Sequence, residues 1–143
     1  MRNLHAALAK AGPDIGFDQL YTASHLYRQC SQRGEAARLM KQALGKLPPG
    51  GFDPRIKREM ATILADGGLH AEAETCLNDY LRTAGNDVDA WMQMAIIKDA
   101  LGRTPDAHNA IRQAYQINAN AAAEKLRSSD ELQRIAAPLF RRR

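Results

Sequence analysis

Side-chain catalysis needs a nucleophile beside a base, two carboxylates across a cleft, or a cluster of metal ligands. The 143-residue sequence offers little of this kind. Its four histidines, His5, His25, His70 and His108, show no HxH, HExxH or Cys/His spacing, so surface and turn positions account for them. Cys30 and Cys76 form neither CxxC nor CxxH and read as buried small apolar residues with free thiols. No GxGxxG or GxxxxGK(S/T) is present to cradle a phosphate. The pattern predicts no enzyme, no metal and no cofactor, which leaves recognition through a surface as the chemistry to look for.

Charge narrows the partner. Residues 1–50 carry a net +4, residues 51–121 a net −3 and residues 122–143 a net +3. A negative middle between two basic ends breaks any continuous phosphate track, so nucleic acid is not expected. No run approaches the roughly 18 apolar residues that a spanning helix requires, so membrane insertion is not expected either. The N-terminus offers no secretory signal, and the expected location is the cytoplasm unless this is a domain excised from an exported or membrane-anchored protein.

The elements that would build such a surface show up in self-comparison. Trp91-x-x-Met94-Ala95 with Ala107-x-x-x-Ile111-x-x-Ala114 repeats Lys57-x-x-Met60-Ala61 with Ala73-x-x-x-Leu77-x-x-Tyr80 at an offset of 34 residues. Leu20-x-x-Ala23-Ser24-x-x-Tyr27 with Ala36-x-x-x-Met40-x-x-Ala43 lies 37 residues before the second copy, with Pro48-Pro49-Gly50-Gly51 in the connection. Two antiparallel helices need small residues where their backbones approach and large ones in the gaps. Ser24, Ala61 and Ala95, with Ala36, Ala73 and Ala107, fit the close approaches, while Met40, Leu77 and Ile111 fill the gaps. Asp53-Pro54, Asn86-Asp87 and Thr104-Pro105 read as helix starts, and Gly67-Gly68, Gly85 and Gly102 as turns.

This pattern resembles the tetratricopeptide repeat family, with its W-x2-L-G-x2-Y, A-x3-F and closing P signature. The third copy matches best; Lys57, Lys98 and Tyr80 depart from the family's aromatic and small positions. The implied fold class is all-α, a right-handed superhelical solenoid of antiparallel helix pairs. The chain then divides into an N-terminal capping helix at 2–16, repeats at 17–50, 54–87 and 88–121, and a C-terminal capping helix with a basic tail at 122–143. Leu4, Ala7, Leu8 and Ala11 form the first cap's stripe. Leu132, Ile135, Ala136, Leu139 and Phe140 form the second, opened by Ser128-x-x-Glu131 and shortened or kinked by Pro138. That stripe either packs on the third repeat or docks a partner or second subunit. Arg141-Arg142-Arg143 is either a solvated tail or a contact for anionic lipid or nucleic acid.

The resemblance also implies a concave groove, lined by the first helix of each pair, that binds a segment of another protein. Carried over by position, it holds Tyr21, His25 and Arg28 in copy one, Arg55, Arg58 and Thr62 in copy two, and Met92 and Ile96 in copy three. Some family members grip the C-terminal carboxylate of chaperones with Lys, Asn and Arg; those places hold Tyr21, His25, Glu59, Asp89 and Gln93 here, so that clamp is absent. Arginine forks and methionine suit an acidic-plus-apolar segment, although arginines on such a face are also ordinary solvated surface. The expected function is a noncatalytic protein-interaction adaptor; the alternative is a structural or self-association module docking through its end helices.

Overall fold

A computed structural model describes residues 16–47 and 54–140. The expected cap at 2–16, apart from Gly16, the 48–51 connection, the Asp53 cap and the Arg141–Arg143 tail lie outside the described residues. Among the described residues eight helices follow one another: α1 Phe17–Gln29, α2 Arg33–Leu44, α3 Pro54–Asp66, α4 His70–Thr83, α5 Val88–Ala100, α6 Thr104–Ile117, α7 Ala119–Arg127 and α8 Asp130–Phe140. No strand occurs among the described residues. The chain forms two compact units, residues up to Ala73 and residues from Glu74.

The turns inside the helix pairs share one backbone device. Gln32 N–H bonds Tyr27 O (2.9 Å), Leu69 N–H bonds Leu64 O (2.8 Å) and Arg103 N–H bonds Lys98 O (2.9 Å), each five residues back. The residue between takes a positive φ: Ser31 at 63°, Gly68 at 90° and Gly102 at 78°. This is the Schellman ending, which satisfies the last carbonyls of a helix and favours glycine at the left-handed position. Copy one uses serine instead.

In the first unit α2 packs against both α1 and α3, and α1 also meets α3. The repeat positions are core: Ser24, Ala36, Met40 and Ala61 are fully buried. Ser24 is the one buried polar residue among the described residues, and its hydroxyl donates to Ala36 O at 2.7 Å, so its burial leaves no unmet hydrogen bond. At the end of α3 a side chain on Gly67 would lie 2.2 Å from Ala37 Cβ and 2.6 Å from Arg33 O. Only glycine lets that turn touch the start of α2.

In the second unit α5 pairs with α6, and both α7 and α8 pack on α5 and α6. Helix α5 is consequently apolar around much of its circumference, with Met92, Met94, Ala95 and Ile97 all buried. Asp87 caps it by accepting from Ala90 N–H at 3.1 Å, as expected from Asn86-Asp87. The same carboxylate accepts the Tyr80 hydroxyl at 2.6 Å, which explains how a tyrosine fits where the repeat has a small residue: its tip leaves the helix interface for the cap.

Three expectations shift. Thr104 does not cap α6; it is the first helical residue, and its hydroxyl donates to Asp99 at 3.1 Å. Ser129, not Ser128, caps α8, accepting from Leu132 N–H at 3.2 Å, while Ser128 donates back to Lys125 O. Residues 122–143, expected as one capping helix and a tail, hold the end of α7 and all of α8, so copy three is followed by a further, shorter helix pair. Asn118 starts α7 by accepting from Ala121 N–H at 3.0 Å. Helix α8 runs through Pro138 to Phe140, losing one internal hydrogen bond near its end.

Candidate functional site

In the first unit the structure brings the copy-one residues against copy two. Tyr21 donates its hydroxyl to Glu59, and Arg28 reaches Asp66 with both Nε and a terminal nitrogen at 2.8 Å. Tyr21 and Arg28 are seven residues apart, as are Glu59 and Asp66, so the two contacts form rungs two helical turns apart between α1 and α3. His25 sits between them: its ring meets Tyr21 edge-on at 4.6 Å, and its Nε2 lies 4.0 Å from Glu59, buried and without a hydrogen bond. Phe17 stacks on Tyr21 at 5.4 Å and extends an aromatic row of Phe17, Tyr21 and His25 along α1.

The Tyr21 hydroxyl is held protonated. Burial raises the Tyr21 hydroxyl above its ordinary pKa, and the hydrogen bond to Glu59 and that carboxylate's charge raise it further, so it stays a neutral donor. Arg28, expected as a fork for a ligand carboxylate, is committed to Asp66. Arg55 is exposed and Arg58 half-buried on α3. Thr62 is half-buried, and its hydroxyl donates to Arg58 O at 3.2 Å.

The copy-three positions behave differently. Met92, expected on an open groove, is only 2% exposed; α7 and α8 pack on α5 and leave no apolar Met92 surface for a ligand. Ile96 is half-buried. The flanking acids of α5 are taken up by the later helices: Asp89 faces Lys125 at 3.6 Å and Asp99 meets Arg134 at 3.1 Å. A polar hollow of about 420 Å³ lined by Asp89, Glu124, Lys125 and Ser128 lies beside the first of these pairs.

Sequence reasoning missed Phe17 and the partner roles of Glu59 and Asp66. The matched seven-residue spacings were the available signal. It also treated Lys98 as a bare departure, whereas Lys98 and Arg103 both donate to Glu74, at 17% and 16% side-chain exposure for Lys98 and Glu74. Burial alone would raise the Glu74 pKa, but the two cations outweigh it and hold the carboxyl below its usual range.

Among the described residues no group of three His, Cys, Asp or Glu side chains could hold a metal ion, and no helix is long and apolar enough to cross a membrane. His108 Nε2 pairs with Ile135 O at 2.9 Å and ties α6 to α8. Cys76 is buried in α4 as expected, but Cys30, also expected to be buried, is exposed, because it sits at the C-cap of α1 where the chain leaves the helix.

Helix pairs with this spacing and these close-approach residues define the fold of tetratricopeptide-repeat domains. The Sgt2 repeat domain of Aspergillus fumigatus superposes with a TM-score of 0.58 at 17% identity, covering 88% of this chain and 76% of that one. The first repeat domain of Spaghetti (RPAP3), bound to the HSP90 peptide SRMEEVD, gives 0.60 at 16% identity, covering 87% and 94%. MamA gives 0.59 at 15% identity, covering 94% and 81%. No protein-family model matches the sequence, and no curated protein matches it significantly.

Proposed function

We propose that the chain is a noncatalytic protein-interaction adaptor whose α1–α3 face takes a segment of a partner protein. The observation that carries this reading is the cross-braced row on α1, where Phe17, Tyr21 and His25 are half-buried yet still accessible. Tyr21, held by Glu59, and Arg28, held by Asp66, lose little entropy when a ligand arrives. The solved structure of a similar fold bound to a peptide supports the general mode.

The ligand proposed is an acidic-plus-apolar segment, with Arg55 and Arg58 facing its carboxylates. Its apolar side chain would contact Phe17 and Tyr21, since Met92 is buried. To test this, partners are captured on wild type and on Arg55→Glu with Arg58→Glu, after circular dichroism shows equal helicity. Arg55 lies in the first turn of α3, where an acidic replacement suits the helix dipole. A partner retained by wild type and lost by the variant supports the face; equal retention removes it.

One observation favours the second reading, a self-association module. Phe140 is 56% exposed beside Tyr115 at the edge of a groove of about 340 Å³ lined by Ile111, Tyr115 and Leu139. Sedimentation of wild type against Phe140→Ser decides it: a concentration-dependent dimer lost in the variant would favour docking through the end helices.

A further inference from the structure

Along α5, Trp91, Met94 and Lys98 lie on the side roughly opposite Asp89, Met92 and Ile96, as their spacing dictates. With Asn78 of α4 and Asp106, Asn109 and Gln113 of α6, they line a cavity of about 380 Å³ within the second unit. Its walls are held rather than loose. The Trp91 indole is half-buried and anchored at its edge, Nε1 donating to Gly85 O at 2.8 Å. Lys98 is turned to Glu74, which it shares with Arg103. Asn109 accepts from Arg112 at 3.0 Å, which leaves its amide N–H groups as donors.

Asp106 is the contrast. It is exposed, lines the same cavity, and has no ion-pair partner among the described residues. Lys98, the cavity's own cation, is committed to Glu74 and does not neutralise it. A cavity with an aromatic wall and a carboxylate that no side chain among the described residues pairs, offset only by the first turn of α6, attracts a cation that can also stack. A planar guanidinium does both, lying on an indole while its N–H groups pair with a carboxylate. Beside it, Asn78 and Gln113 each present one acceptor and an amide donor group, the same complement that a peptide backbone offers.

We propose that this cavity docks an extended segment of a partner protein, with an arginine of that segment between the Trp91 indole and the Asp106 carboxylate. Asn78 and Gln113 hydrogen-bond the segment's backbone. The site is independent of the α1–α3 face and takes a ligand of opposite charge.

Trp91 is the sole tryptophan, so its emission and its indole N–H resonance report on this site alone. The full chain is titrated with capped alanine pentapeptides carrying arginine, lysine or glutamate at the centre. The arginine peptide is expected to give a saturable shift, the lysine peptide a weaker one and the glutamate peptide none. Asp106→Asn should weaken the arginine peptide about tenfold, the scale of one charge-assisted pair. Asn78→Ala with Gln113→Ala should weaken it a few-fold and supplies a second test if the first variant folds poorly. No saturable shift, an equal response to glutamate, or unchanged affinity in well-folded Asp106→Asn overturns the proposal. So does self-association of wild type that disappears when Arg141–Arg143 are replaced by alanine and when Asp106 is replaced by asparagine, because the occupant is then a second copy.

Discussion

Ser31 occupies the left-handed turn position that Gly68 and Gly102 hold in the other two copies, at φ 63°. A Cβ there costs about 1 kcal/mol relative to glycine, so Ser31→Gly should stabilise the chain by up to about that amount, read as a higher urea midpoint. Gly67 is the opposite case. A methyl at Gly67 would lie 2.6 Å from the Arg33 carbonyl as well as 2.2 Å from Ala37 Cβ, so Gly67→Ala should destabilise by about 1–3 kcal/mol, the usual cost of overpacking. Trimming Ala37 to glycine should not restore the loss, because the carbonyl is backbone and stays. Thermal melts of the single and double variants check both statements.

Within the second unit Glu74, on the part of α4 that belongs to it, receives Lys98 from α5 and Arg103 from the α5–α6 turn. Glu74→Gln leaves Lys98 half-buried without its counter-charge and should cost about 1–3 kcal/mol at pH 7. The folded-state pKa of Glu74 lies below its unfolded value, so this stability is present above the unfolded pKa and is lost as pH falls through the folded one. The gap between wild type and Glu74→Gln should therefore close on acidification below about pH 4, which urea titrations at stepped pH would show. Much of the helical layout was legible because the repeat forces small residues such as Ser24, Ala61 and Ala95 to recur at fixed spacing. Helix α7 was not: of its residues only Ala122 is buried, so it has no apolar stripe to find. The burial of Met92 was hidden in part for the same reason, since one of the two later helices that pack on α5 leaves no stripe in the sequence. Ser129 was passed over because Ser128 offers the same hydroxyl one residue earlier, and only the backbone path chooses between them. Of the groove, the α1 residues were found by position, while their commitment to Glu59 and Asp66 needed the pairing of α1 with α3.

At the scale of the molecule, the apolar stripe of α8 is part of a core. Leu132, Ile135 and Ala136 are 3%, 2% and 1% exposed, and His108 bonds the Ile135 carbonyl. Removing residues 129–143 should thus lower the unfolding free energy by about 3–6 kcal/mol, the burial of a leucine and an isoleucine, rather than detach an independent docking helix. Differential scanning calorimetry of the truncated chain checks this; an unchanged transition would count against it. The two cysteines of the chain fall one to each unit, Cys30 exposed in the first and Cys76 fully buried in the second. A thiol reagent should therefore label Cys30 at once and Cys76 only when the second unit opens. The slow phase is a clock for that opening, and its rate under native conditions measures how often the second unit breathes without waiting for the whole chain to unfold.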